Sequence, residues 1–190
     1  VPQYTWVDVE HADTKLMAGL VKAFPDHAVN VAGLSKDGRL ALLNVYSDVD
    51  PGSYYLFNRQ TGEATFLLAA MDWINPAQMS PMRPISLTAR DGLELHGYIT
   101  IPRGSDGKNL PLILHPHGGP HGPRDEWGFN PEVQFLANRG YAVLQINFRG
   151  SGGYGKTFEA KGYRNWGLTM IDDMTDAVRW AVAEGIADPS

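Results

Sequence analysis

The sequence predicts an α/β protein in which a four-stranded antiparallel meander precedes a sheet whose strands alternate with helices. Three observations carry this. Residues 29–70 hold four short runs rich in β-branched, aromatic and leucine residues, separated by Asp37-Gly38, Pro51-Gly52 and Thr61-Gly62, dipeptides of the kind that tight hairpins require. Two later runs, 111–115 and 141–147, are almost continuously apolar, as strands covered on both faces are. Residues 130–138 and 169–184 carry helix signals between and after those runs, and strand, helix, strand, helix reads as an α/β sheet.

In chain order, residues 4–10 read as a strand. Residues 12–24 place Leu16, Leu20, Val21 and Phe24 on one face of a helix that stops before Pro25. The meander follows as 29–34, 40–47, 53–58 and 64–70; alone it cannot bury both of its faces. Residues 71–84 contain Pro76, Pro81 and Pro84, which remove backbone donors, and mark a linker or boundary. Residues 85–89 and 93–101 form a hairpin about Asp91-Gly92. The 130–138 helix ends at Arg139-Gly140, a last-turn cation and a glycine just beyond it. In 169–184, Met170, Met174, Ala177, Val178 and Ala181 form one stripe. Asp172, Asp173 and Asp176 are read as acids favoured by the helix's N-terminal dipole. No internal repeat is visible.

Composition narrows the function classes. The 190 residues include 16 basic and 21 acidic side chains, a net charge of −5, with 43% hydrophobic residues and no cysteine. That hydrophobic share with so low a charge excludes a disordered chain, and no run reaches the ~18 apolar residues of a membrane span. Without cysteine there is no disulfide scaffold, thiol nucleophile or thiolate metal site. The compartment stays open, with the cytoplasm favoured. Val1 is not an initiator methionine and no basic-then-apolar segment follows it, so a signal peptide is absent or removed, or the chain starts inside a longer protein. The acidic excess disfavours a nucleic-acid coat. Residues 139–164 are locally basic and interleaved with aromatics, but their cations are dispersed, as on a structured surface loop.

Two glycine-rich segments carry the chemistry. Residues 115–122, His-Pro-His-Gly-Gly-Pro-His-Gly, directly follow a buried strand. A backbone that presents bare N–H groups to a developing oxyanion needs residues without side chains there, and Gly118 and Gly119 provide them; the plainer reading is a tight strand-to-helix turn. His115, His117 and His121 could be spaced for zinc, but Pro116 and Pro120 restrict the loop and no carboxylate lies within it, so no metal is expected. The second segment, 147–155, places Gly150, Gly152 and Gly155 as G-x-G-x-x-G. A dinucleotide site would want its acid at the end of a second strand, whereas Asp172 and Asp173 open a helix, so no cofactor is expected. Ser151 does not sit in G-x-S-x-G and reads as a turn serine. Ser105 and Lys108 match S-x-x-K only within a loop.

Together these segments resemble the prolyl oligopeptidase family of serine peptidases, in particular its acylaminoacyl-peptidase-like branch. The likeness lies in the order and spacing of several motifs: D-G-x-x-L-x-G-Y from Asp91, H-G-G-P from His117, A-x-x-G-Y from Ala137, N-F-R-G-S-x-G-Y-G from Asn147 and D-D-M-x-D-A-V-x-W from Asp172. It covers residues 85–190 strongly and is weaker upstream. The resemblance implies the N-terminal half of an α/β-hydrolase sheet over residues 76–190. Before it, residues 1–75 would be the C-terminal end of a β-propeller, with the last four-stranded blade at about 29–70. It further implies that Gly119 supplies an oxyanion-hole N–H, that His117, Gly118 and Pro120 shape that loop, and that Arg149 and Gly150 give structural support. The family's nucleophile elbow would follow Ser190, so the expectation is a truncated, inactive piece of an enzyme that cleaves peptides through an acyl-enzyme, without metal or cofactor. A piece with missing strands is expected to self-associate or to pair with a complementary chain. The alternative is a non-catalytic propeller-linked binding module or pseudoenzyme. No nucleic-acid or membrane partner is expected.

Overall fold

The computed structural model describes residues 1–189, which divide into two compact units: Val1–Ala77 with Trp127–Phe129, and the remaining described residues.

In the first unit, helix α1 (Ala12–Ala23) is capped by His11, whose Nδ1 accepts from the Asp13 N–H, and carries Asp13 in its first turn and Lys22 in its last, as the helix dipole favours. Strands β1 (Ala28–Leu34), β2 (Leu40–Tyr46), β3 (Ser53–Asn58) and β4 (Glu63–Ala69) make an open antiparallel sheet in chain order. β2 alternates buried and half-buried residues along its whole length, and α1 covers that apolar face. Leu20 packs with Val29, Ala41, Leu43, Val45 and Phe57. β4 is exposed almost throughout. Residues 4–10 are not a strand. Asp8 Oδ1 accepts from the N–H groups of Glu10 and His11, an Asx turn that bends the chain into α1 and competes with extended pairing. Tyr4 is still tethered, its hydroxyl accepting from the Val29 N–H.

In the second unit, β5 (Met82–Thr88), β6 (Glu94–Thr100), β7 (Leu112–Leu114) and β8 (Ala142–Asn147) form a sheet of order β5-β6-β8-β7. β5, β6 and β8 pair antiparallel and β7 runs parallel to β8. β5 starts earlier than expected and includes Pro84, because it is an edge strand, where a proline's missing N–H need cost no ladder bond. A 3₁₀ turn at Pro76–Gln78 precedes it. β8 is buried at all six positions. Helix α2 (Pro131–Ala137) is capped by Asn130 and packs on β8, burying Val133, Gln134 and Ala137. Helix α4 (Thr169–Ala183) sends Ala177 and Ala181 into a core with Leu95, Ile99, Leu144 and Ile146. Between β8 and α4 lies a five-residue helix, α3 (Lys156–Ala160), for which the sequence has no apolar stripe. After α4 the chain returns to β7, with Ala187 bridging Leu110 in parallel. The second unit is thus a partial α/β-hydrolase-like sheet, and the first an open meander with a helix on one face. Among the described residues, no helix is long and apolar enough to cross a membrane.

Candidate functional site

The two glycine-rich segments leave the C-terminal ends of adjacent parallel strands, β7 and β8, the end at which open α/β sheets bind ligands. They pack against each other backbone to backbone. Gly152 donates to the Pro123 carbonyl at 3.1 Å, and a Cβ on Gly152 would lie 2.0 Å from the Gly122 carbonyl oxygen. Asn147, wholly buried, grips the far end of the first loop: its Oδ1 accepts from the Asp125 N–H at 2.8 Å and its Nδ2 donates to the Asp125 carbonyl at 3.0 Å. Gly150 packs against His121, Gly162 and Met170.

At the near end, Gly119 has φ +134°, in the left-handed region that favours glycine. The N–H groups of Gly118 and Gly119 donate to no acceptor among the described residues, and both residues are exposed. Pro120 follows, and Pro123 packs behind Gly119. The His117 ring stacks on Phe148, with centroids 4.6 Å apart and planes 16° from parallel. Its Nε2 lies 2.8 Å from Ser151 Oγ and its Nδ1 2.9 Å from the Gly118 carbonyl oxygen.

Arg149 braces the second loop from below. Its Nε and one terminal nitrogen donate to Asp173, its other terminal nitrogen donates to Asp91, and its backbone N–H also reaches Asp173. Asp173 is 0% exposed and Arg149 7%. These bonds hold the guanidinium above its already high ordinary pKa, Asp173 contributing most, and Arg149 holds the Asp91 carboxyl below the usual carboxylate range. Arg90 chelates Asp176 in the same way, lowering that carboxyl as well, and reaches Asp172 with a terminal nitrogen. The acids of α4 therefore divide. Asp172 stands in the first turn as expected, but Asp173 and Asp176 are buried ion-pair partners that tie the helix to the turn after β5 and to the loop after β8. Their spacing of three puts them beside Met170 and Ala177 on the buried stripe, a signal the sequence offered.

Residues 127–190 match the Prolyl oligopeptidase family. The chain is 42% identical to dipeptidyl aminopeptidase BIII of Pseudoxanthomonas mexicana over 72% of its own length, and 32% identical to dipeptidyl peptidase family member 6 of Caenorhabditis elegans over 90%. Its fold superposes on the acylaminoacyl peptidase of Pyrococcus horikoshii with a TM-score of 0.66 at 26% identity, covering 86% of this chain and 26% of that one. The chain belongs to the prolyl oligopeptidase superfamily. It spans 21% and 26% of the length of the two curated relatives.

Within this superfamily framework the three loop histidines separate rather than converge. His115 pairs with Glu132 at 2.9 Å, His117 with Ser151, and His121 accepts from Trp166 Nε1 at 3.1 Å. Among the described residues no three His, Cys, Asp or Glu side chains gather where a metal could sit. Ser105 donates to its own turn at Pro102. Ser151, read from the sequence as a turn serine, does contact its own turn, Oγ lying 2.7 Å from the Phe148 carbonyl oxygen, but it also holds His117. No spacing in the sequence signals that contact.

Among the described residues of this region Asp125 is the one carboxyl pushed upward, chiefly by burial, with the Gln145 amide, which donates to it at 2.7 Å, opposing the rise. With its pKa raised above the unfolded value, the protonated carboxyl favours folding; that contribution is complete at acid pH and is lost as pH rises through the folded pKa, where the ionised group opposes folding. Asp125→Asn keeps an acceptor for Gln145 and removes the buried charge. The variant is expected to melt at a higher temperature than the native protein at pH 7, with the gap narrowing as pH falls toward about 4. Thermal scans at the two pH values check this, and a less stable variant at pH 7 would refute it.

Proposed function

We propose that this chain is part of a serine peptidase: the last blade of a β-propeller over about 29–70, followed by the first half of an α/β-hydrolase domain. In this reading Gly119 is an oxyanion-hole donor, His117, Gly118 and Pro120 shape its loop, and Arg149 and Gly150 support it from the β8 side. The observation that carries the reading is the Gly119 N–H, without an acceptor among the described residues and on an exposed residue, in a loop fastened at its other end to β8.

The chemistry follows from that placement. When a serine hydroxyl adds to a peptide carbonyl, the π pair moves onto oxygen, and a fixed N–H aimed at that oxygen binds the transition state more tightly than the planar carbonyl. Collapse of the adduct expels the amine and leaves an acyl-enzyme, which water then opens. No G-x-S-x-G occurs in the 190 residues, so the nucleophile, acid and base belong to the remainder of the whole protein, and the chain by itself is inactive. Two matched relatives are named for dipeptidyl release, at 42% and 32% identity, and one matched structure, at 26%, is an acylaminoacyl peptidase. We therefore take the substrate to be a peptide shortened from its N-terminal end.

Among the described residues β7 itself pairs with β8 alone, the Ala187 bridge stopping at Leu110 before it, and an apolar groove of about 460 Å³ lies between Leu112, Leu114, Val178 and Val182. The rest of the parent, or self-association of the isolated chain, would cover both. The test is reaction of the whole protein and of the 190-residue chain with a fluorophosphonate. Labelling of the whole protein alone is expected. An unlabelled whole protein would sink the peptidase reading and leave a non-catalytic binding module.

A further inference from the structure

We propose that Ser151 is a positioning residue that aims the Gly119 N–H, acting through His117; the proposal rests on the oxyanion reading of Gly119. A serine that merely closes a turn needs only its own turn. Ser151 is 0% exposed and stands between two groups, the Phe148 carbonyl at 2.7 Å and His117 Nε2 at 2.8 Å. On the other side of the ring, His117 Nδ1 is 2.9 Å from the Gly118 carbonyl oxygen. A carbonyl only accepts, so Nδ1 carries the hydrogen there. The serine hydroxyl hydrogen then serves Nε2 when the ring is neutral and the Phe148 carbonyl when both ring nitrogens are protonated. In either state the ring is held between Ser151 and Gly118.

What it holds there is the peptide unit that matters. The Gly118 carbonyl and the Gly119 N–H belong to one planar amide, so fixing the oxygen on one side fixes the direction of the N–H on the other. Pro123 packs behind Gly119, but the Gly118 side of the amide is otherwise open. A Cβ on Gly118 would meet nothing within 4 Å, and neither N–H of the pair is bonded among the described residues. Stacking on Phe148 sets the plane of the ring, and the Ser151 contact fixes where Nε2 sits within that plane. The chain of contacts therefore runs from the rigid β8 end through Phe148, Ser151 and His117 to the Gly118–Gly119 amide, and ends where the oxyanion would form. Such an anchor acts on the transition state and leaves ground-state binding unchanged.

The test compares Ser151→Ala, His117→Phe and the double variant in the whole protein, with peptide hydrolysis and inhibition by a peptide boronic acid as readouts. Removing a whole oxyanion donor costs about 10²- to 10³-fold in kcat, so loosening one is expected to cost about 10- to 100-fold, with KM within about twofold. Affinity for the tetrahedral boronate should fall by the same factor as kcat/KM. His117→Phe keeps the stack on Phe148 and loses both ring nitrogens, and the double variant should be no worse than it alone. If Ser151→Ala does not fold, His117→Phe carries the test, because it leaves the Ser151 contact with Phe148 in place. An active native protein whose variants keep kcat, or whose losses multiply in the double variant, overturns this proposal alone. An inactive native protein overturns the reading of the site, and this proposal with it.

Discussion

Asp173→Ala is expected to destabilise the protein by about 3–5 kcal/mol, the range for removing one partner of a buried ion pair. The loss arises because Arg149 stays behind with its Nε, one terminal nitrogen and a backbone N–H all stripped of their acceptor, while Asp91 answers only the remaining terminal nitrogen. Replacing both members together, Arg149→Met with Asp173→Leu, should cost less than Asp173→Ala alone, since no uncompensated charge remains. Asp172→Ala, on an exposed pair with Arg90, should cost under about 1 kcal/mol. Urea unfolding of the four proteins ranks them, and an Asp173→Ala loss no larger than that of Asp172→Ala would contradict the assignment. Acid titration adds a check of sign. The depressed carboxyls of Asp91 and Asp176 contribute stability that is complete above the ordinary carboxylate pKa and is lost as pH falls through their lowered values.

The second large effect is expected at Gly152. A methyl group there would come 2.0 Å from the Gly122 carbonyl oxygen and 2.9 Å from its carbon, and the obstacle is backbone, which cannot swing aside as a flexible side chain would. Gly152→Ala must part the two loops, break the bond to Pro123 and disturb the seat of Gly119. A loss of about 3 kcal/mol, at the upper end for overpacking, is expected, with fluorophosphonate labelling of the whole protein abolished. Gly118→Ala is the matched control in the same loop, with open space around the new carbon; its stability should stay within about 0.5 kcal/mol. Equal unfolding midpoints for the two alanine variants would refute the close approach.

What was legible in the sequence was whatever local chemistry decides. Turn dipeptides such as Asp37-Gly38 and Asp91-Gly92 gave the meander and the β5–β6 hairpin, and continuous apolar runs gave β7 and β8, because turn geometry and burial are written in neighbouring residues. Residues 4–10 failed because alternation is silent about whether a partner strand exists, and Asp8 supplied a competing turn. Pro84 reads as a breaker because a sequence does not show which strand lies at an edge. The contacts of the candidate site were hidden for a related reason. His117 and Ser151 are 34 positions apart, Arg149 and Asp173 24, and Arg90 and Asp176 86; only the strand order β5-β6-β8-β7 brings such pairs together. The family resemblance named the loop that would hold an oxyanion but not the side chains that hold the loop.

That strand order also has a consequence for how the second unit is born. β6 finds β5 at once across a tight hairpin, but its other edge belongs to β8, and β7, made before β8, has its ladder with β8 too. About forty residues separate the end of β6 from the start of β8 and about 27 separate the end of β7 from it, so at roughly 5–20 residues per second a ribosome leaves β6 waiting about 2–8 s and β7 about 1–5 s. During that interval Leu95, Ile99, Leu112 and Leu114 have no sheet to join, which makes the nascent hairpin, rather than the finished domain, the state most in need of a chaperone.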